Sequence, residues 1–397
     1  MDDAIRERLT ATGRRMLDCF NQGQAELADE IVSLDASVYV DPARFAAEQH
    51  YIFRALPLML AASCELAEAG DYKTLEVAGL PVLLTRSGDG SAHAFLNSCR
   101  HRAGPVACDK GNAARFTCPY HGWTYNNQGD LVGIASHDQF GPADKDDLKL
   151  VEFPIYESAG LIWVVLDPAS RIDISGFLAG VDKMLDGFDL GAWSLYDQCA
   201  LSGANWKLAF DAHLDFYHLP VLHKETFGPR ISNMAQYFFH GPHQRLGLMS
   251  ENPVEQNDLR HLTDVPEAEW PIDSLLFGEW IVFPNVSLNC FTAGEKVMVI
   301  SQIFPGDTAA TSTTVQTYLV ARPPSQETKP ELDEFVAFIK KIVGEEDLPM
   351  SMQQQTSMSS GLVKTVHFGR NELGLQRYHQ WIEQLVSGKS AVFSADS

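Results

Sequence analysis

Four side chains of two kinds stand out first. Cys99-Arg-His101 and Cys118-Pro-Tyr-His121 each place one thiol close to one imidazole. A Cys₂His₂ zinc finger pairs Cys with Cys and His with His. Here the pairs are mixed, so each loop offers one soft thiolate and one imidazole. That donor set suits a two-iron sulfur cluster in which one iron takes both thiolates and the other both imidazoles. A structural zinc site, or unrelated buried Cys and His, are the competing readings. A second group follows downstream: Asp215, His218 and His223. On a helix, Asp215 and His218 share a face. On one continuous helix His223 would turn away, but Pro220 breaks the helix between the two histidines, so both can reach one metal. Taken alone, this spacing reads as a satisfied core cluster. His213 falls on a different helical face from Asp215 and reads as structural.

The elements that must hold these residues differ along the chain. Residues 4–20 carry Ile5, Leu9, Met16, Leu17 and Phe20 at helical spacing. Asp41-Pro42 starts a second helix. From Tyr72 the texture turns to strands: 72–77, 81–85 and 92–96, with Gly88-Asp-Gly90 as a turn. Strand-like residues 114–117 lead into the second ligand pair, and 159–166 form a buried strand. The first site therefore sits on two hairpin tips of a small antiparallel β domain, 45–166. Residues 1–44 supply N-terminal helices expected to pack on the catalytic domain, which takes 167–397. In that domain 169–200 read as mixed helix and loop, and 205–218 as a helix. Strands follow in 278–290, 296–304 and 312–321, then a helix at 330–343 that ends near Gly344, and a last helix with Leu375, Tyr378 and Trp381.

The length of 397 residues is comfortable for two domains. With 30 Lys+Arg against 52 Asp+Glu, the net charge of −22 repels phosphate, so nucleic acid and anionic membrane are poor partners. No stretch is apolar for long enough to span a bilayer, and Met1-Asp-Asp has no apolar signal core. Beyond Cys99 and Cys118, five widely spaced cysteines argue for a reducing cytoplasm rather than a disulfide framework. Cys108 reads as a small buried side chain.

The letters around the ligands, Cys99-Arg-His-Arg-Ala-Gly-Pro and Cys118-Pro-Tyr-His-Gly-Trp-Thr-Tyr125, resemble the ligand loops of Rieske non-haem iron oxygenases, the aromatic ring-hydroxylating dioxygenase α-subunit family. Asn205-Trp-Lys, Phe283-Pro-Asn and the segment 372–381 resemble the same pattern. The resemblance implies an α+β fold: a small antiparallel β Rieske [2Fe–2S] domain plus a helix-grip catalytic domain, an antiparallel sheet with helices that holds a mononuclear iron. It implies Cys99, His101, Cys118 and His121 as cluster ligands and His218 and His223 as iron ligands. Asp215 resembles the bridging carboxylate that links a cluster histidine of one subunit to an iron histidine of the next. The third iron ligand is a carboxylate ahead of a helix carrying Gln. Asp347, before Gln355, fits, with Glu346 and Glu345 as rivals. Asp211 departs from relatives that carry an amide near the iron.

The implied activity is that of a terminal oxygenase. It uses O₂ and electrons from a separate ferredoxin or NAD(P)H-dependent reductase to hydroxylate a small, aromatic or apolar substrate. Cis-dihydroxylation and monooxygenation or demethylation share these ligands. A Rieske electron carrier with a non-catalytic second domain is the alternative. No Gly-x-Gly-x-x-Gly fingerprint is present, so the reductase is expected to be another protein. Arg100, Arg102, Lys110 and Arg115 form the expected donor-docking patch. In strands 275–321 Lys296 is the one basic residue, which points to a neutral substrate. The resemblance also implies a homotrimeric ring, with or without a β-subunit.

Overall fold

A two-residue turn, Ala78-Gly79, closes the first hairpin. Ala78 and Gly79 both take positive φ, which gives the tight turn that joins Asp71–Val77 to Leu80–Arg86 in register, Val77 opposite Leu80. The computed structural model describes residues 2–250 and 259–388. The chain divides into two compact units, Phe53–Ile174, and Met1–Ile52 together with Ser175–Ser397. Among the described residues no helix is long and apolar enough to cross a membrane.

The smaller unit is built from short antiparallel strands. One sheet runs Ala92–Leu96, Leu80–Arg86, Asp71–Val77, Lys110–Asn112. A second runs Arg115–Thr117, Thr124–Asn126, Leu131–Gly133. The third places Leu161–Val164 between Ile155–Ser158 and Leu58–Ala62. Its core joins Leu83, Phe95, Phe116, Trp123 and Tyr125 to Cys99 and Cys118. The two thiols are thus part of the apolar core, while His101 and His121 stay at its half-exposed edge. Cys108 is exposed, contrary to the expectation of a buried side chain, because the segment that carries it runs along the surface between Ala107 and Asp109.

The larger unit is organised on a seven-stranded antiparallel sheet. Its order is Ser194–Gly203, Ser312–Val320, Glu295–Pro305, Val286–Ala293, Glu279–Val282, His243–Ser250, Ile231–His240. The helix Lys329–Ile342 lays Leu332 and Val336 on Val297, Val299 and Tyr318 of this sheet. The N-terminal strand Val32–Asp35 pairs with Thr365–Phe368. Three sheet strands depart from the sequence reading. Ser194–Gly203 lies in a span read as helix and loop, and the hairpin Ile231–His240/His243–Ser250 was not anticipated. The expected single strand at 278–290 is two, Glu279–Val282 and Val286–Ala293, which pair with each other around Phe283-Pro-Asn285.

The helix expected over 205–218 also differs. It runs only from Trp206 to Asp211. Asn205 caps it by accepting a hydrogen bond from the Lys207 N–H, and Asn205 is itself held by Tyr39, Ala309 and Gln355. Asp211 ends it with a side chain that accepts from the Tyr39 hydroxyl at 2.7 Å and lies 2.9 Å from His379 Nε2. These partners turn the Asp211 carboxylate away from the cavity described below. Pro220 does not break a helix. It sits in the first turn of a separate short one, Leu219–Leu222, with His218 and His223 at its two ends.

Candidate metal centres and substrate cavity

The two ligand loops of the smaller unit share one backbone design. Cys99 N–H donates to Gly104 O (2.7 Å), and Ala103 N–H donates back to Cys99 O (2.9 Å). Cys118 N–H donates to Trp123 O (2.8 Å), and Gly122 N–H donates to Cys118 O (3.0 Å). Each loop closes on a residue of positive φ, Ala103 and Gly122. The loops therefore present Cys and His in matching poses. Trp123 stacks on His101 with ring centroids 5.1 Å apart, and Tyr120 covers His121. The two imidazoles lie 4.5 Å apart, edge to face.

Three observations fit a metal cluster to this cradle. His101 Nδ1 is buried and makes no hydrogen bond, the state of a nitrogen reserved for a metal. A Cβ on Gly104 would press to 3.2 Å from Cys118 Sγ, so the space over the sulfur is kept clear. The Cys/His set also does not form a group of three ligand atoms within 4.8 Å, as a single tetrahedral zinc would require. Tyr125 OH lies 3.5 Å from Cys99 Sγ and accepts from Arg100 N–H, so it buttresses the first loop. Burial raises its pKa, and it stays a neutral donor.

The larger unit brings His218, His223 and Asp347 together, with one ligand atom from each within 4.8 Å of the others. Asp347 Oδ1 lies 3.2 Å from His223 Nε2 and 3.7 Å from His218 Nε2. Yet this buried oxygen has no hydrogen-bond partner. Three donor atoms that face one point without bonding one another are what an ion would bridge. The other side of each ring meets a second carboxylate. Asp215 Oδ2 lies 3.3 Å from His218 Nδ1, and Glu346 Oε2 lies 2.6 Å from His223 Nδ1. Thr226 Oγ1 also donates to Glu346. Glu346 thus stands behind His223 while Asp347 stands in front. Glu345 is exposed.

Local sequence explains how the acids diverge. The α-helix Lys329–Ile342 ends close to Gly344, as expected, but the winding does not stop there. It continues through one wide turn, Val343–Asp347, into the helix Leu348–Ser359. Asp347 occupies the cap position of that helix, but its side chain caps nothing, so the carboxylate is left to the site. Gln355, one face along, bonds Asn205 and ties this helix to the one ahead of Asp215.

The trio opens on a cavity of about 970 Å³. Phe216, Phe227, Phe277 and Phe291 supply much of its wall, with Ser287, Asn289, Thr314 and Gln316 on the sheet side. His213, read as structural, lines this cavity instead. Its Nδ1 lies 3.0 Å from Glu279 Oε1, a partner too distant in sequence to be anticipated.

A family model described as the ring hydroxylating alpha subunit catalytic domain matches residues 190–388, and a Rieske [2Fe–2S] domain model matches residues 57–154. The chain belongs to the ring-hydroxylating α-subunit family. The carnitine monooxygenase oxygenase subunit of Escherichia coli (strain K12) is 26% identical over 374 residues, 90% of this chain and 94% of that protein. The biphenyl 2,3-dioxygenase subunit alpha of Rhodococcus jostii (strain RHA1) is 34% identical over 203 residues, 49% of this chain and 44% of that one. In fold, the chain is similar to naphthalene 1,2-dioxygenase from Rhodococcus sp. bound to indole, with a TM-score of 0.75 at 20% identity, covering 98% of this chain and 100% of that one. As a Rieske ring-hydroxylating α subunit, it is the terminal oxygenase component, an oxidoreductase whose cofactors are a Rieske [2Fe–2S] cluster and a mononuclear iron.

Proposed function

We propose that Cys99, His101, Cys118 and His121 hold the cluster, that His218, His223 and Asp347 hold the iron, and that the adjoining cavity binds a small organic substrate for hydroxylation by O₂. The observation that carries this reading is the Asp347 oxygen, buried and unbonded before the Nε2 atoms of both histidines. A Rieske electron carrier with an idle second domain would have no use for that trio or for the cavity beside it. When bound, the cluster supplies electrons singly and the iron offers open positions for dioxygen.

The protein's share is positioning. Asp215 and Glu346 each take the Nδ1 side of one histidine, which places the N–H there and leaves the Nε2 lone pair for the metal. Asp215 also accepts from the Tyr217 N–H at 2.6 Å, so its carboxylate is held in place. Tyr217 and Val221, beside it, are exposed apolar side chains. On this reading they belong to a contact between copies of the chain in a homotrimeric ring, where Asp215 connects His218 with His121 of the partner subunit. Heterologous contacts of this kind close into rings.

Arg100, Arg102, Lys110 and Arg115 are all exposed around the cluster loops. They would receive an acidic ferredoxin or reductase on a chain whose net charge is −22. Relatives named for carnitine monooxygenation and for biphenyl 2,3-dioxygenation bracket the chemistry. The test of the whole reading is metal analysis with product analysis. Purified protein should contain about three irons per chain, two in the cluster and one outside it. A count of two, with a complete Rieske spectrum, would leave only the electron carrier.

A further inference from the structure

Three carboxylates of the described cavity wall are not used by the metal site, Glu225, Glu279 and Glu331, and of these only Glu279 is not exposed. Glu279 opens the strand Glu279–Val282 and faces Ser287 on the neighbouring strand. Ser287 Oγ donates to Glu279 Oε1 at 2.6 Å, and His213 Nδ1 lies 3.0 Å from the same oxygen. Both bonds fall on Oε1. Among the described residues nothing bonds Oε2. The Glu279 side chain is 11% exposed, and the exposure is into the cavity.

A carboxylate in such a place is costly unless a positive charge or donors compensate it. The protein supplies two donors to one oxygen and stops there. Among the described lining residues the one Lys or Arg is Lys341, which is exposed. Lys296 is bound to Asp273 at 2.5 Å and is not in this cavity wall. Glu225 and Glu331, also exposed in the wall, add negative charge. Phe216, Phe227, Phe277 and Phe291 present the π surface that attracts a cation whose charge is spread over methyl groups. The wall is therefore built for positive charge in the ligand.

We infer that the cavity takes an organic cation, a substrate with a methylated ammonium group, and that Glu279 is the residue that selects it. The cationic head lies against Glu279 Oε2, with the aromatic side chains around its methyl groups. His213 and Ser287 hold the carboxylate in its pose. This replaces the neutral substrate expected from the scarcity of basic residues. That expectation counted bases on the strands and missed the acid. The inference rests on the cavity being the substrate site of the oxygenase.

The test compares cations with their neutral carbon isosteres on the iron-replete holoenzyme by calorimetric titration. Choline is set against 3,3-dimethylbutan-1-ol, and phenyltrimethylammonium against tert-butylbenzene. At least one cation should bind about tenfold or more tighter than its isostere. Glu279→Gln should abolish that preference and leave isostere affinity unchanged, and Glu279→Asp should keep part of it. Equal affinities within both pairs, absence of cation binding, or a preference that survives in Glu279→Gln would overturn the assignment. The wild-type comparison stands even if a variant does not fold. Iron content and cluster spectrum are read on the same samples. Complete iron with no cation preference removes the Glu279 assignment alone, whereas a wild-type protein unable to hold iron outside its cluster removes the oxygenase site on which it rests.

Discussion

Glu346 and Asp347 are adjacent in sequence and take opposite nitrogens of one imidazole. Glu346 reaches His223 Nδ1, and Asp347 reaches Nε2. The two acids therefore have separable losses. Asp347→Ala should empty the iron site and keep the cluster absorption. Glu346→Gln should keep iron but weaken its hold by about 10–100-fold, because the charged acceptor that orients His223 becomes a weaker, neutral amide. Iron retained against a graded chelator measures both. Full iron and activity in Asp347→Ala would move the third ligand elsewhere.

In the Rieske unit, Cys99→Ser or His121→Ala should remove the visible absorption without unfolding the larger unit. Tyr125→Phe should leave the cluster in place and lower its reduction potential, since the hydroxyl near Cys99 Sγ favours the more negative reduced state. Spectroelectrochemical titration reads the shift. An unchanged potential would mean that this hydroxyl serves the Arg100 N–H alone.

The subunit ring is tested by mixing. His121→Ala and His218→Ala chains should each be inactive. Mixed rings should regain part of the activity, because some interfaces would join an intact cluster to an intact iron. Asp215→Asn should keep both metals and slow turnover severely, since its shape is kept while its charge toward His218 is lost. Exchanged rings that stay dead would rule out the crossing between subunits.

Acid should weaken a specific contact in the smaller unit. Arg86 holds Glu157 through two bonds of 2.6 and 2.8 Å, and Ser63 adds a third. Burial works against the Glu157 charge, but the Arg86 and Ser63 bonds outweigh it and hold the carboxyl below its usual pKa. A folded-state pKa below the unfolded one means stability that is present above the unfolded value. That stability is lost as pH falls through the folded value. At pH 7 Glu157→Gln should cost about 1–3 kcal/mol, because Arg86 is left buried without its counter-ion. The gap from wild type, measured as melting temperature, should close as pH drops below 4.5, the ordinary Glu value. A gap that stays constant with pH would remove the ion pair as its cause.

A larger effect is expected at Glu48. Its carboxylate accepts from Lys207 Nζ at 2.6 Å, Trp206 Nε1 at 2.9 Å and Arg44 Nε at 2.9 Å, and both Glu48 and Lys207 are inaccessible to solvent. Glu48→Ala should destabilise the larger unit by about 3–5 kcal/mol, since Lys207 would keep a buried charge without a partner. Denaturant melts compare it with the Lys207→Met/Glu48→Ala double variant, which should recover part of the loss. A double variant no better than the single would assign the loss to packing.

The proposed ligand residues could be singled out in the sequence because each pair is local. Cys99 with His101, Cys118 with His121, and His218 with His223 are close in sequence, and chain geometry alone keeps each pair near. What was hidden depends on partners far away. The stop at Asp211 follows from Tyr39 and His379. The choice between Asp347 and Glu346 follows from the wide turn that aims them, which composition does not reveal. His213 passed for structural because its partner, Glu279, arrives on a strand from a later segment. The hairpin Ile231–His240/His243–Ser250 mixes polar and apolar letters, such as buried Gln236, Gln244 and Arg245, and this masked its alternation.

The wide turn at Val343–Asp347 also makes the chain sensitive to length at this point. A wide turn carries a residue more than a regular one. Deleting Val343, Gly344 or Glu345 would restore regular winding and swing the acids around the helix axis by about 100°. His223 would then lose the carboxylates that face its two nitrogens. Drift in the identity of Gly344 or Glu345 leaves that orientation intact. Positions 344 and 345 therefore tolerate a change of residue far better than a change in their number.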